Sequence, residues 1–330
     1  MNQLRILSAT DIAAALPMNQ AIAGMKEAFA QLSTGQADVP LRNRIAVPDQ
    51  QGVALFMPAF MRATADLAIK VVSVFPHNAA RGEPIIYATV LVLDATNGRP
   101  LALLEGSTLT AIRTGAGGGA SADLLARPDA HAVAILGSGV QARAGLEAVC
   151  TVRDIHSVRV YSLNPDHAGQ FAQEMAGRGP IPQNIQVAAD AAAAVRDADI
   201  IYTATTSSTP TFNGADVKPG AHIIGVGSYT PQMQEVDETA VLNATVIVDS
   251  RSAAWEEAGD LIIPLNQGLI TQSHITAELG EIVAGHKPGR TSDSQITFFK
   301  SVGVAVQDAI AARITLQNAT AQNLGTVVTL

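Results

Sequence analysis

Residues Ala132-Val133-Ala134-Ile135-Leu136 run directly into Gly137-Ser138-Gly139-Val140-Gln141-Ala142, and this junction decides the fold. An unbroken apolar run of that length predicts a strand buried on both faces. The G-x-G-x-x-A that follows predicts a tight turn opening a helix. The first glycine permits the turn, the second lets a pyrophosphate approach the backbone, and Ala142 lets helix and sheet pack closely. Amides at the start of that helix would supply the positive end for the anion. A bare string of this kind is common, and its context gives it weight. Further strands are predicted at 158–163, 185–188, 199–205, 222–227 and 245–249, with helices at 166–178 and in the alanine-rich run ending at Arg196. Such alternation implies a doubly wound parallel sheet of the Rossmann type. A final long helix is predicted from Thr297 to about Asn318.

Ahead of this region the pattern is mixed α/β. Helical spacing is read over 11–33, with Ile12, Leu16, Ile22, Met25, Phe29 and Leu32 apolar. Strands are predicted at 39–47, 53–56, 67–75 and 85–94, and Asn97-Gly98 turns the last of these into a hairpin with 101–104. The stretch 108–125 is read as a helix despite Gly115, Gly117, Gly118 and Gly119, whose small size would let another backbone come close. The expected organisation is a mixed α/β domain at 1–125 and a dinucleotide-binding domain at 126–305.

Composition narrows the function. With 330 residues, 48% hydrophobic and 15% charged, the chain can bury a large core, and 4% aromatics make that core aliphatic. A net charge of −8 without any long run of Lys or Arg argues against a nucleic-acid or anionic-membrane surface. No apolar stretch is long enough to span a bilayer, and the first residues lack a secretory profile. A single cysteine, Cys150, excludes an internal disulfide and a multi-thiolate zinc site, so no metal is expected. The expectation is a cytoplasmic enzyme acting on a small molecule.

An acid at the end of the second strand, about 20 residues past the glycines, would bind the adenosine ribose of NAD. That strand ends Tyr161-Ser162-Leu163-Asn164, and Asp166, two residues too late, is expected to cap the next helix. Without the acid nothing repels a 2′-phosphate, and Ser162 and Asn164 could donate to it, although no arginine stands there. This leans toward NADPH and leaves NADH open. Three cations stand among apolar neighbours: Arg44 in Arg44-Ile45-Ala46-Val47-Pro48, Lys70 in Ala68-Ile69-Lys70-Val71-Val72, and Arg113 after Leu109-Thr110-Ala111-Ile112. Lys70 could face solvent from an open sheet, and the arginines could serve salt bridges or an interface. Converging on one pocket, they would suit a small carboxylate: arginine offers the bidentate fork, and a desolvated lysine can move a proton.

Beyond these residues the sequence resembles the ornithine cyclodeaminase/μ-crystallin family over essentially its whole length. The resemblance rests on Arg44-Ile45-Ala46-Val47-Pro48, Leu55-Phe56-Met57-Pro58-Ala59, Lys70-Val71-Val72, Arg113-Thr114 and the glycine turn. It continues through Val226-Gly227-Ser228, Glu257-Ala258-Gly259-Asp260-Leu261 and Phe299-Lys300-Ser301-Val302-Gly303, then Val306-Gln307-Asp308. The family holds ornithine cyclodeaminases, some alanine dehydrogenases and reductases of cyclic ketimines, typically dimeric through the non-Rossmann domain; the resemblance implies that 1–125, completed by a C-terminal helix at 306–330, is a substrate-binding and dimerisation domain. The resemblance implies that Arg44 holds the substrate carboxylate and that Lys70 contacts it or protonates the imine nitrogen. It further implies that Arg113 bridges substrate and cofactor, with Thr114 near the phosphates. Thr205, Thr206 and Ser301 are placed beside the cofactor, as are Val226, Gly227 and Ser228, and Met57 in the substrate pocket.

One departure separates the subfamilies. Cyclodeaminases carry an Asp shortly after the fifth strand, where this chain has Tyr229 in Gly227-Ser228-Tyr229-Thr230-Pro231. A phenol with an ordinary pKa near 10 cannot attract a distal ammonium as a carboxylate does; Tyr229 is read as a pocket wall. The reading is therefore NAD(P)H-dependent reduction of Δ1-pyrroline-2-carboxylate or Δ1-piperideine-2-carboxylate to an L-amino acid such as L-proline. Cyclisation of ornithine, alanine dehydrogenation and non-catalytic dinucleotide binding are the alternatives. His77, His222 and Trp255 are read as structural.

Overall fold

Alternating burial along the first hundred residues builds one sheet of mixed strand direction. The computed structural model describes residues 3–40 and 42–330, so Leu41, within the strand expected at 39–47, lies outside the described residues. The chain divides into two units, Met1–Arg113 with Ala305–Leu330, and Thr114–Val304. The division falls inside a helix, twelve residues before the boundary read from sequence (125 minus 113).

The first unit contains β1 (Gln3–Leu7), α1 (Ala9–Ala15), α2 (Met18–Ser33), β2 (Ala37–Asp38), β3 (Asn43–Val47), β4 (Gly52–Met61), β5 (Asp66–Val74), β6 (Ile86–Asp94) and β7 (Pro100–Glu105). It also holds the first turns of α3 (Gly106–Leu125), and closes with α11 (Ala305–Ala321) and β16 (Thr326–Thr329). The sheet runs β16-β1-β7-β6-β5-β4-β2, with β3 also paired to β4. One face buries Met57, Ala59, Met61, Ala68, Val90, Val92, Ala102 and Leu104. α11 packs against β4, β5 and β6 and against α1 and α2. It is buried along Ala305–Ala312, which suits a helix apolar nearly all round.

Two helices replace the single one expected over 11–33. Ser8 and Asp11 form a reciprocal capping box for α1, and Pro17, extended at φ −65° and ψ 144°, starts α2. A proline tolerates the first turn of a helix and breaks its interior.

The second unit contains the rest of α3, then β8 (Ala132–Leu136), α4 (Val140–Val152), β9 (Ser157–Tyr161), α5 (Pro165–Met175), β10 (Ile185–Val187), α6 (Ala191–Val195), β11 (Ile200–Thr203) and β12 (His222–Gly225). It continues with α7 (Glu238–Asn243), β13 (Ala244–Val248), α8 (Arg251–Glu257), α9 (Gly259–Asn266), β14 (Ile275–Glu278), α10 (Leu279–Val283) and β15 (Ile296–Lys300). Its strands are all parallel, in the order β10-β9-β8-β11-β12-β15-β13-β14. This is the doubly wound sheet expected. The predicted helix from Thr297 is corrected: Ile296–Lys300 is β15, seated between β12 and β13, with Phe298 and Phe299 fully buried. β-Branched and aromatic residues favour that strand, and Gly303, at φ +84°, separates it from α11. β14 was not foreseen either.

Small residues on α3 do what their size suggests. A Cβ added at Gly115 would lie 2.6 Å from the carbonyl carbon and oxygen of Ala144 on α4. Gly115→Ala gains up to about 1 kcal/mol of helix propensity. Overpacking against backbone that cannot move aside costs about 1–3 kcal/mol. We expect net destabilisation, read as a lower denaturant midpoint at unchanged slope.

The residues read as structural behave so. His222 is fully buried between Ser121 (Nε2 to Oγ, 3.1 Å) and Thr297 (Nδ1 to Oγ1, 2.9 Å). Burial first, then the charges of Arg290 and Arg153, lowers its pKa to about 3, so it stays neutral. Trp255 packs against the core of its unit, and His77 is exposed on the short turn Pro76–Arg81. Burial pushes the Cys150 thiol up to about 12, leaving it unreactive at neutral pH.

Candidate active site

Lys70 stands in the middle of β5 on the covered face, opposite Met57 of β4 and Val90 of β6. It is 3% exposed, and its Nζ lies 2.7 Å from Oδ2 of Asp308 on α11. Arg113, from the second turn of α3, brings Nε to 3.1 Å from the other carboxylate oxygen, and its Nη1 donates to Gln307 Oε1 at 3.0 Å. Two buried cations therefore share one buried carboxylate, an arrangement with positive charge to spare. Burial alone would raise the Asp308 pKa, but Arg113 and Lys70 outweigh it and hold the carboxyl below its ordinary range. For Lys70 burial dominates, aided by Arg113 and Arg42 and opposed by Asp308, and the pKa falls to about 8. That value suits a group that must give up a proton near neutral pH. The solvent-facing alternative for Lys70 is excluded by its burial.

Arg44 is exposed on β3, opposite Leu55, which is itself opposite Val72. Strand alternation therefore puts Arg44 on the same face as Met57 and Lys70. Two strand spacings, about 10 Å, separate its strand from that of Lys70, within reach of a long guanidinium side chain. Asp308, Gln307 and Arg42 were missed as site residues. Asp308 carried a legible signal: a lone acid in an otherwise apolar helical run demands a buried partner. Arg42 precedes β3, and its charge is felt at Lys70.

In the second unit, most of the predicted cofactor residues follow the carboxyl ends of four neighbouring strands, β9, β8, β11 and β12, while Ser301 follows β15 and Thr114 lies on α3. Gly137 follows β8 at φ +104°, and a Cβ there would lie 2.5 Å from the Ala204 carbonyl oxygen, so only glycine fits. Gly139 begins α4 without a side-chain cap, and a Cβ there would meet nothing within 4 Å. Uncapped amides beside open space fit a dinucleotide pyrophosphate. Val140 is 64% exposed at the same turn, with Gln141 behind it. Ser138 Oγ donates to Ser162 Oγ at 3.2 Å. Asn164, and not Asp166, caps α5, its Oδ1 accepting from the Asp166 amide at 2.9 Å. Arg143 of α4, which sequence reasoning passed over, donates to the Ser138 carbonyl, pairs with Glu174 at 2.7 Å and lies over the Phe171 ring.

Thr205, after β11, donates from N and Oγ1 to Glu235, as do the amides of Gly227 and Ser228 after β12. Val226 donates to the Thr203 carbonyl, and Thr206 is exposed. Tyr229 is 46% exposed on the following loop. Ser301, after β15, is buried and donates to Asp249, whose other partners are the amides of Ser250, Val302 and Gly303. Thr114 directly precedes the contact between α3 and α4.

The sequence profile of the ornithine cyclodeaminase/mu-crystallin family matches residues 2–323. The chain belongs to this family. Among its members, a Delta(1)-pyrroline-2-carboxylate reductase of Bacillus cereus is 41% identical over 97% of this chain and 98% of its own. A solved structure of Thermococcus litoralis Delta(1)-pyrroline-2-carboxylate reductase in complex with NADH and L-proline superposes with a TM-score of 0.93, at 41% identity, over 98% of this chain and 99% of that one. An archaeal alanine dehydrogenase dimer with bound NAD superposes at 0.91, with 31% identity and 99% of both chains covered. Family membership fits both the parallel sheet with its glycine turn and the cation cluster on the mixed sheet.

Proposed function

We propose that the chain is an NAD(P)H-dependent reductase of a small cyclic ketimine, converting Δ1-pyrroline-2-carboxylate or Δ1-piperideine-2-carboxylate to the L-amino acid. One observation carries the reading: a buried lysine, poised near pH 8, shares a carboxylate with a buried arginine in a chain otherwise built like the pyrroline-2-carboxylate reductases. Arg44 and Arg113 hold the substrate carboxylate, which fixes the reacting face. Lys70 hydrogen-bonds the imine nitrogen and delivers its proton, making C2 the better electrophile. Met57 lines the substrate site on the first unit. Gly137, Ser138, Gly139, Val140 and Gln141 hold the pyrophosphate, with Thr114 beside it. Ser162 and Asn164 serve the adenosine ribose, and Thr205, Val226, Gly227, Ser228 and Ser301 the nicotinamide side. When bound, the reduced nicotinamide supplies the hydride. We favour NADPH over NADH, since no acid ends β9 and Arg143 adds a guanidinium to that turn.

Tyr229 favours reduction over ornithine cyclisation, because no carboxylate stands at its position to hold a distal ammonium. A homodimer through the first unit is supported by exposed Ile45, Ile86 and Tyr87 and by the dimeric alanine dehydrogenase. Among the described residues no helix is long and apolar enough to cross a membrane, and a cytoplasmic setting suits the redox cofactor. The test is spectrophotometric. NAD(P)H should be consumed one-for-one with pyrroline-2-carboxylate, faster with NADPH, and ornithine should release no ammonia. Ammonia release matched by proline formation, without net NAD(P)H consumption, would falsify the assignment.

A further inference from the structure

Glu235 is a fully buried carboxylate that the reduction as described does not use. Its Oε1 accepts from the Thr205 amide at 2.5 Å and Thr205 Oγ1 at 2.8 Å. Its Oε2 accepts from Thr203 Oγ1 at 3.0 Å, the Gly227 amide at 2.6 Å and the Ser228 amide at 3.1 Å. Three of these five donors are backbone amides, which can only donate, so the cradle favours the carboxylate form. Burial raises its pKa, helped by the nearby Asp260 carboxylate and opposed by Lys300 and the Thr205 donors, and the net shift is upward.

The residue is itself locked. Its amide donates to Asp260 Oδ1 at 2.6 Å, and Asp260 Oδ2 lies 2.9 Å from the Nζ of fully buried Lys300 at the end of β15. Thr211 donates to its carbonyl from both N and Oγ1. Gly227 completes the fit, since a Cβ there would lie 2.2 Å from the Thr205 carbonyl and 2.4 Å from Glu235 Oε1. Ser228 also ties the loop that follows, donating from Oγ to the Met233 carbonyl at 2.7 Å. Tyr229 is carried on that loop.

We propose that Glu235 is a positioning residue for the nicotinamide half of the dinucleotide: one carboxylate joins the chain ends after β11 and β12 into a single platform and fixes the root of the Tyr229 loop. The inference rests on the reading that the dinucleotide lies across the carboxyl ends of β9, β8, β11 and β12. It separates the two halves of the ligand, because the hydrogen bonds of the Glu235 carboxylate go to the ends of β11 and β12 and to neither the Gly137–Gln141 turn nor Ser162.

Glu235→Gln keeps the shape and replaces one acceptor oxygen by an amide nitrogen that must face a donor. The experiment compares binding of NADH and of ADP-ribose, which lacks nicotinamide, by titration calorimetry on the full-length protein. Loss of a charge-assisted hydrogen bond is worth about tenfold or more, so NADH should weaken by roughly that factor while ADP-ribose changes less than about twofold. Thr203→Val, which deletes one buried donor without touching the surface, should shift the same ratio by a smaller factor; it covers the case in which Glu235→Gln fails to fold. Equal weakening of both ligands, or no change in either, overturns the role of Glu235. Wild-type protein that binds neither ligand, and does not bind NADPH either, overturns the cofactor reading as well.

Discussion

Lys70→Met should cut turnover by orders of magnitude and leave the dinucleotide bound. Methionine keeps the length and apolar stem of the buried side chain, so packing between β5 and α11 is conserved. It leaves Asp308 paired with Arg113, one charge against one, so no uncompensated ion is created at Lys70. What disappears is the proton donor, and general acid catalysis contributes roughly 10²–10⁴-fold. kcat/KM should fall by that amount, whereas NADH affinity, set by the other unit, should stay within about twofold. The pH profile supplies a second reading. Lys70 titrates at about 8, so wild-type reduction should decline as pH rises above that value, when the ammonium has lost its proton. The residual activity of the variant should lack this descending limb. Turnover within tenfold of wild type would remove Lys70 from the chemistry.

Asp308→Asn should be the most destabilising single change in the site. The substitution is nearly isosteric, yet it leaves the ammonium of Lys70 and the guanidinium of Arg113 buried without a counter-ion. Breaking a buried ion pair from one side costs roughly 3–5 kcal/mol. Lys70 responds, because Asp308 opposes the fall of its pKa. Without the carboxylate, that pKa drops below its present value near 8, and the descending limb of the activity profile moves to lower pH. A lysine whose folded pKa lies below its unfolded value releases its proton first in the folded state, so the penalty is full at low pH and shrinks as pH rises. Thermal unfolding of the variant against wild type, from pH 6 to 9, should show a gap that narrows upward. In Asp308→Asn/Lys70→Met, one cation is gone and part of the loss should return. A gap independent of pH would show that Lys70 and Asp308 are not coupled.

The glycine turn and the parallel sheet were legible because they depend on local rules: apolar runs, period and a positive-φ glycine. The mixed sheet was legible in its strands, and its edges were not. β1 and β16 pair residues more than 300 positions apart, Gln3 with Thr329, and nothing local announces such a partnership. Ile296–Lys300 was misread for the opposite reason, since a short apolar run beside a long helix carries no period that separates strand from helix. Of the site, Lys70 and Arg113 stood out as charges among apolar neighbours. Asp308 carried a signal as a lone acid in an apolar helical run, but its pairing with them did not, because only the packing of α11 onto β5 brings it there. Glu235 was equally hidden. Its partners lie at 203–205 and 227–228 and meet only when β11 and β12 lie side by side.

Central to the proposed mechanism is hydride reaching the imine carbon of a carboxylate-bearing ring, with Lys70 as the proton donor to its nitrogen. The most direct measurement uses reduced cofactor carrying deuterium at its transferable position, with pyrroline-2-carboxylate as acceptor and the proline analysed by NMR and chiral chromatography. Deuterium at C2 of L-proline, one atom per molecule, is the expected result. Proline without deuterium, or of mixed configuration, would contradict it.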